Sequence, residues 1–236
     1  MFPGIFIAGT DTDIGKTLIA GGLLKWVRSQ GVDAAYFKAV QSGGIWENGK
    51  PVSGDTSRVI DYCELQEDMH LMNPYALEPE FSPHLAAQLS GITIKRGRIL
   101  SAFEQLKRRH EFIVAEGAGG LVVPLIAQKY HICDLIKDLQ LPVVLVARAG
   151  LGTINHTILS CSFLQKLQLP VKGIIINNYT GRPDEDDNIN YIKALSGQPI
   201  LGIIKHLKLR GDQSDRPLIA AEFERQPGLH QLLQQD

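Results

Sequence analysis

Six short runs of β-branched and other apolar residues punctuate the chain, at Ile5–Ala8, Ala34–Lys38, Phe112–Ala115, Val143–Ala147, Val171–Ile176 and Ile200–Ile204. Stretches with helical, amphipathic spacing fill the gaps between them. Runs this apolar predict strands covered on both faces rather than strands with one wet side. Strands separated by helices predict right-handed βαβ crossovers, hence a mostly parallel sheet with helices on both faces, an α/β fold. The first helix is predicted over Leu18 to Arg28, and the polar stretch Thr180 to Asn190 reads as a loop rather than a domain linker. No internal repeat or low-complexity tract interrupts the pattern, so residues 1–236 are expected to form a single domain.

Composition narrows the picture. With 236 residues, 44% of them apolar, the chain can bury one large core. Lys and Arg number 24 against 25 Asp and Glu, a formal charge of −1, which gives no global pull toward nucleic acid or a membrane surface. The start Met-Phe-Pro-Gly lacks a charged leader region, and no apolar run reaches the ~20 residues a spanning helix needs. A cytoplasmic protein is expected. Cys63, Cys133 and Cys161 are odd in number and widely spaced, so they read as core thiols and not as a metal quartet or disulfide framework.

On a parallel sheet, ligands collect at the carboxyl ends of the strands, so the residues just past each run should line one crevice. Past the first run stands Gly9-Thr10-Asp11-Thr12-Asp13-Ile14-Gly15-Lys16-Thr17. A strand-to-helix turn of this kind offers backbone N–H groups and a positive helix end to a phosphate, with Lys16 reaching the β/γ-phosphates and Thr17 ligating Mg²⁺. The fold expected is therefore that of a P-loop NTPase. The spelling departs from G-x-x-x-x-G-K-[ST], because Thr10 stands where the first glycine should be and Gly9 lies one residue earlier. Glu116 ends the third run, where a second Mg²⁺ anchor sits in many P-loop enzymes, and Gly117, Gly119 and Gly120 let backbone approach a ligand. Asp55 reads equally as a helix N-cap and as a metal ligand. Lys38 reads either as a side chain snorkelling to solvent or as a cation beside the phosphates. Ser82 and Pro83 read as the cap and first turn of a helix carrying His84, His156 as a packing or capping residue, and the other histidines as surface groups.

The phosphate loop, Phe37-Lys38-Ala39-Val40-Gln41-Ser42-Gly43, Gly54-Asp55, Ser82-Pro83-His84-Leu85-Ala86-Ala87, Glu116-Gly117-Ala118-Gly119-Gly120 and Gly152-Thr153-Ile154-Asn155-His156 together resemble the dethiobiotin synthetases over residues 4 to 204. The extended loop is that family's own spelling. The resemblance implies an enzyme that takes 7,8-diaminononanoate, CO₂ (or bicarbonate) and ATP, forms a carbamate and then a carbamic-phosphoric anhydride, and closes a cyclic urea with release of ADP and phosphate. By the same resemblance Lys16 and Lys38 are catalytic, and Thr17, Asp55 and Glu116 hold Mg²⁺. ATP is held by Asp13, Ile14, Gly15, Lys16, Thr17, Leu18, Asp55, Glu116, Gly117, Ala118, Gly119, Asn177 and Asn178, with Asn177 at the adenine-reading position. The diamine or its carbamate meets Thr12, Lys38, Ser42, Gly150, Thr153 and Asn155. Family members are typically homodimers in which a partner residue closes the substrate site, a part that the resemblance assigns to Tyr191. Gly202-Ile203-Ile204-Lys205 departs from the family's Gly-x-Ile-Pro, which leaves the wall for the base after Ile204 unassigned. Cobyrinate amidases and partition-type ATPases share such a loop. The former ordinarily carry a glutaminase domain for which this chain has no room, and the latter usually carry a further early-loop lysine where this chain has Thr10, Asp11 and Thr12.

Overall fold

The computed structural model describes residues 4–47 and 50–234. Its centre is one sheet of six strands: β1 Gly4–Gly9, β2 Ala34–Phe37, β3 Phe112–Gly120, β4 Val143–Arg148, β5 Val171–Tyr179 and β6 Ile200–Lys205. They lie in the order β6-β5-β4-β1-β3-β2, and every pairing is parallel. All six apolar runs are strands. Two of them run further than the pattern indicated: Glu116 to Gly120 and Asn177 to Tyr179 stay in the ladder instead of lying past it. Gly120 still pairs with Gly9 across a register shift. Polar and glycine residues carry no strand signal, yet pairing with β1, β4 and β6 keeps these ends in the sheet across register shifts, with Gly119 at φ 64 and Asn178 at φ 59. β2, by contrast, stops at Phe37 and leaves Lys38 just beyond its tip.

The helices are α1 Lys16–Ser29, α2 Gly54–Cys63, α3 Met69–Met72, α4 Pro83–Leu89, α5 Arg96–Arg109, α6 Ile132–Leu139, α7 Thr153–Lys166, α8 Pro183–Ser196 and α9 Arg216–Glu224. The chain winds from β1 to β2, leaves a slot that β3 fills, and then crosses to the other side of β1 for β4, β5 and β6. That reversal places the switch point of the sheet at β1, so the loop after β1 opens into the crevice. α1 packs on α2 and α9. Gly22 lets the α1–α9 contact close, since a Cβ there would lie 2.1 Å from the Phe223 ring.

Four local expectations are corrected. The stretch 180–190 is largely helix α8: Pro183 opens it, acids fill its first turn, and the Glu185 carboxylate accepts from the N–H groups of Thr180, Gly181 and Arg182. Ile189 and Ile192, three residues apart, supply its buried stripe. The cap of α2 is Ser53, whose hydroxyl accepts from Thr56 N–H at 3.0 Å, so Asp55 is not needed for that role. Ser82 stands at the start of α4 but its hydroxyl bonds His84 Nδ1 at 3.1 Å and caps nothing. His110 is not a free surface group, because its ring nitrogens meet Asp33 and Glu67, each at 3.0 Å. The three cysteines are buried free thiols, and among the described residues no helix is long and apolar enough to cross a membrane.

Candidate active site

A cleft of about 680 Å³ opens at the carboxyl ends of β1, β2 and β3. Its floor is the loop after β1. Gly15 opens α1 at φ 87, and a Cβ there would lie 2.1 Å from Asn177 Nδ2, so both conformation and contact demand glycine. Asp13 is left-handed at φ 54, which turns the loop toward the helix start. Gly9 must also be bare, because a Cβ would lie 2.8 Å from Asp11 O and 2.9 Å from Lys16 Nζ. The unusual spacing of the loop thus has a physical reason: the close approach falls at Gly9, not at Thr10. The Lys16 ammonium donates to Asp11 O at 2.8 Å, and burial holds its pKa below the ordinary lysine value against the pull of Glu116.

Beside this floor stands a charged cluster. Lys38 is 4% exposed and turned inward, which overturns the snorkelling alternative. Its ammonium donates to Asp55 Oδ2 and, at 2.7 Å, to Glu116 Oε1. Burial alone would depress the Lys38 pKa, but the two carboxylates outweigh it and hold the group above its ordinary value, so it stays charged. Thr17 Oγ1 donates to Glu116 Oε1 at 2.9 Å, and Tyr36 OH donates to Glu116 Oε2 at 2.6 Å. Glu116 itself is 2% exposed.

The donor set of Thr17, Asp55 and Glu116 fits Mg²⁺. These are hard oxygen ligands gathered around the Lys38 ammonium, two carboxylates and one hydroxyl, which leaves positions for phosphate oxygens and water. Among the described residues no group of three or more His, Cys, Asp or Glu side chains could form a closed protein-only cage.

An AAA domain model matches residues 3–214 of the chain. An ATP-dependent dethiobiotin synthetase from Clostridium kluyveri is 43% identical over 215 residues, 90% of this chain and 89% of that protein. One from Caldicellulosiruptor saccharolyticus is 40% identical over 200 residues, 84% of this chain and 82% of that protein. The chain belongs to the dethiobiotin synthetase family. It is accordingly an enzyme of the ligase class. A chain of the MinC:MinD cell division protein complex from Aquifex aeolicus superposes with a TM-score of 0.61 at 12% identity, covering 98% of this chain and 96% of its own. A ParA family ATPase from Chlorobium tepidum gives 0.54 at 11% identity, covering 96% and 91%. These likenesses show the fold, that of P-loop ATPases.

Of the positions that the dethiobiotin synthetase resemblance singles out, Thr12, Asp13, Gly15, Lys16, Thr17, Leu18, Lys38, Ser42, Asp55, Glu116, Gly117, Ala118 and Gly119 line the cleft together. Others do not. Ile14 is buried beneath the loop with its carbonyl held by Asn177 Nδ2 at 2.8 Å. Asn177 therefore braces the phosphate loop, while its Oδ1 is buried and has no partner. Asn178 is exposed at φ 59, its Oδ1 3.4 Å from His206 Nδ1. Gly150 and Asn155 lie outside the cleft, and Thr153 is buried with its hydroxyl 3.4 Å from that of Thr157.

Several residues carry weight that the sequence pattern did not signal. Gln41 Oε1 accepts from Ser53 Oγ and, at 3.1 Å, from Asp55 N–H, fixing the start of α2 against the loop after β2. Asn73 Nδ2 donates to Lys38 O at 2.6 Å, and Lys38 N–H donates to Met72 O at 2.7 Å, so the backbone of Lys38 is clamped from both sides. Leu209 and Gly211, beyond Ile204, also line the cleft. A lone phenol in the run Ala34-Ala35-Tyr36-Phe37, and an Asn-Pro after a short helix, were the available hints.

Proposed function

We propose that this chain carboxylates 7,8-diaminononanoate with CO₂ and closes the ring to dethiobiotin at the expense of ATP, as a cytoplasmic enzyme of biotin synthesis. The observation that carries the reading is the convergence of Lys16, Lys38, Thr17, Asp55 and Glu116 in one cleft from four separate chain segments. ATP lies with its triphosphate over the loop 9–17, its β/γ-phosphates near Lys16, and its base toward Leu209 and Gly211. Thr17, Asp55 and Glu116 would hold Mg²⁺, which would supply neutralisation of phosphate charge.

One amine of the substrate adds CO₂ and gives a carbamate. A carbamate oxygen attacks the γ-phosphorus and ADP departs; the second amine then attacks the carbamoyl carbon and phosphate departs. Each step develops negative charge on oxygen, and no nucleophilic side chain is required, so lysines and positioning carry the catalysis. Lys38 stabilises the carbamate and the transferring phosphoryl group, and Thr12 and Ser42 contact the diamine. Ile45 adds an apolar wall fit for an aliphatic chain.

Gly150, Thr153 and Asn155 do not line the cleft of their own chain, so their substrate role requires the cleft of a second copy. A homodimer answers that need. Leu151 at 89% and Tyr191 at 53% exposure are large apolar or aromatic groups left uncovered, with Leu159 and Leu195, on and beside α7 and α8.

The test supplies the diamine, bicarbonate and Mg-ATP and follows phosphate release together with the mass of the urea product. Phosphate release that depends on the diamine, with dethiobiotin formed, is expected. Phosphate release indifferent to the diamine overturns the reading.

A further inference from the structure

Glu116 divides its two carboxylate oxygens. Oε1 meets Thr17 Oγ1 at 2.9 Å and Lys38 Nζ at 2.7 Å, on the cleft side. Oε2 points the other way and accepts from Tyr36 OH at 2.6 Å. Tyr36 sits on β2 opposite Val114 of β3, two residues before Glu116, and its side chain leans along the strand to reach the carboxylate. Both groups are buried, Tyr36 completely. Without the phenol, Oε2 would be a charged oxygen in an apolar wall with no donor, and the carboxylate would be free to rotate.

We propose that Tyr36 is a positioning residue for the metal site: its hydroxyl fixes the rotation of the Glu116 carboxylate so that one oxygen faces the cleft as a ready Mg²⁺ ligand. The proposal rests on the reading of Glu116 as a metal ligand. Tyr36 does not line the cleft, and its hydroxyl bonds Glu116, so it acts through that residue. Outer groups that orient metal ligands in this way typically contribute about ten- to hundredfold in metal affinity.

Tyr36→Phe keeps the ring and its packing and removes only the donor. The measurement is Mn²⁺ binding in place of Mg²⁺, read from the paramagnetic resonance signal of free Mn²⁺ with a non-hydrolysable ATP analogue present. Wild type, Y36F and E116Q are compared, each below its own melting temperature. The expected result is a loss of about ten- to hundredfold in Mn²⁺ affinity for Y36F. In turnover assays the Mg²⁺ half-saturation concentration should rise by a similar factor, and kcat at saturating Mg²⁺ should return most of the way to wild type. A purely structural tyrosine would lower the melting temperature and leave the Mn²⁺ isotherm in place, which overturns the proposal. If E116Q weakens Mn²⁺ binding and Y36F does not, the positioning role fails while the metal reading of Glu116 survives. If neither variant moves the isotherm, Glu116 is not a ligand and both fail.

Discussion

Lys38 shows how far a single residue's chemistry can be inferred from its neighbours in sequence. Its type and its place at a strand tip were legible, and they left two alternatives, solvent or anion. The solvent alternative is removed by Glu116 and Asp55, which lie 78 and 17 residues away and enter only through the fold. Removing the ammonium with Lys38→Ala leaves two carboxylates facing each other, one of them buried, and losing one partner of such a cluster typically costs about 3–5 kcal/mol. The expected outcome is a lower melting temperature that Mg²⁺ raises more in K38A than in wild type, because the metal restores the missing positive charge. Turnover should fall on the order of a hundred- to thousandfold, the usual scale for deleting a charge-stabilising donor. Titration of a fluorescent ATP analogue should meanwhile show nearly unchanged affinity. A large loss of nucleotide binding with normal turnover at saturation would contradict the role assigned to Lys38. The placement of Lys16 and Thr17 needed no such help, since the turn at Gly15 fixes both at the start of α1.

At the scale of elements, apolar runs identified every strand of the central sheet because burial on both faces writes itself directly into composition. Strand ends and short capped helices were less legible. Glu116 to Gly120 are held in β3 by the ladder to β1, and α8 is held by a capping network around Glu185, neither of which is an apolar signal. The four-residue α3 is the clearest case. It has one buried residue, Met72, and no periodicity to detect, yet its end grips Lys38 through Met72 O and the Asn73 amide. Asn73→Ala removes the donor to a buried carbonyl, a loss of about 1–3 kcal/mol. Thermal denaturation should register that loss. If the clamp also sets the ammonium, kcat should drop several-fold in steady-state kinetics with the ATP KM close to wild type. A melting shift without any kcat change would confine Asn73 to a structural role.

For the whole molecule, the same family motifs divide into two places. The phosphate loop, Lys38, Asp55 and Glu116 share a cleft, whereas Gly150, Thr153 and Asn155 stand at the tip of β4 outside it. Sequence cannot distinguish a residue serving its own cleft from one serving a symmetry mate, because both are equally remote along the chain. In a twofold dimer with each site shared, a variant dead in the cleft and a variant dead in the 150–155 segment complement each other. Co-expression of Lys16→Ala with Asn155→Ala pairs unlike subunits in half of all dimers. Each such dimer holds one site carrying both lesions and one site carrying neither. About a quarter of wild-type activity is then expected from two preparations that are separately inactive. Were the segment to serve its own cleft, every site in the mixture would carry one lesion and activity would stay at the sum of the parents. Light scattering on the mixed sample would establish the dimer independently, and substituting Leu159 and Tyr191 with Glu should shift it toward monomer if α7 and α8 carry the contact.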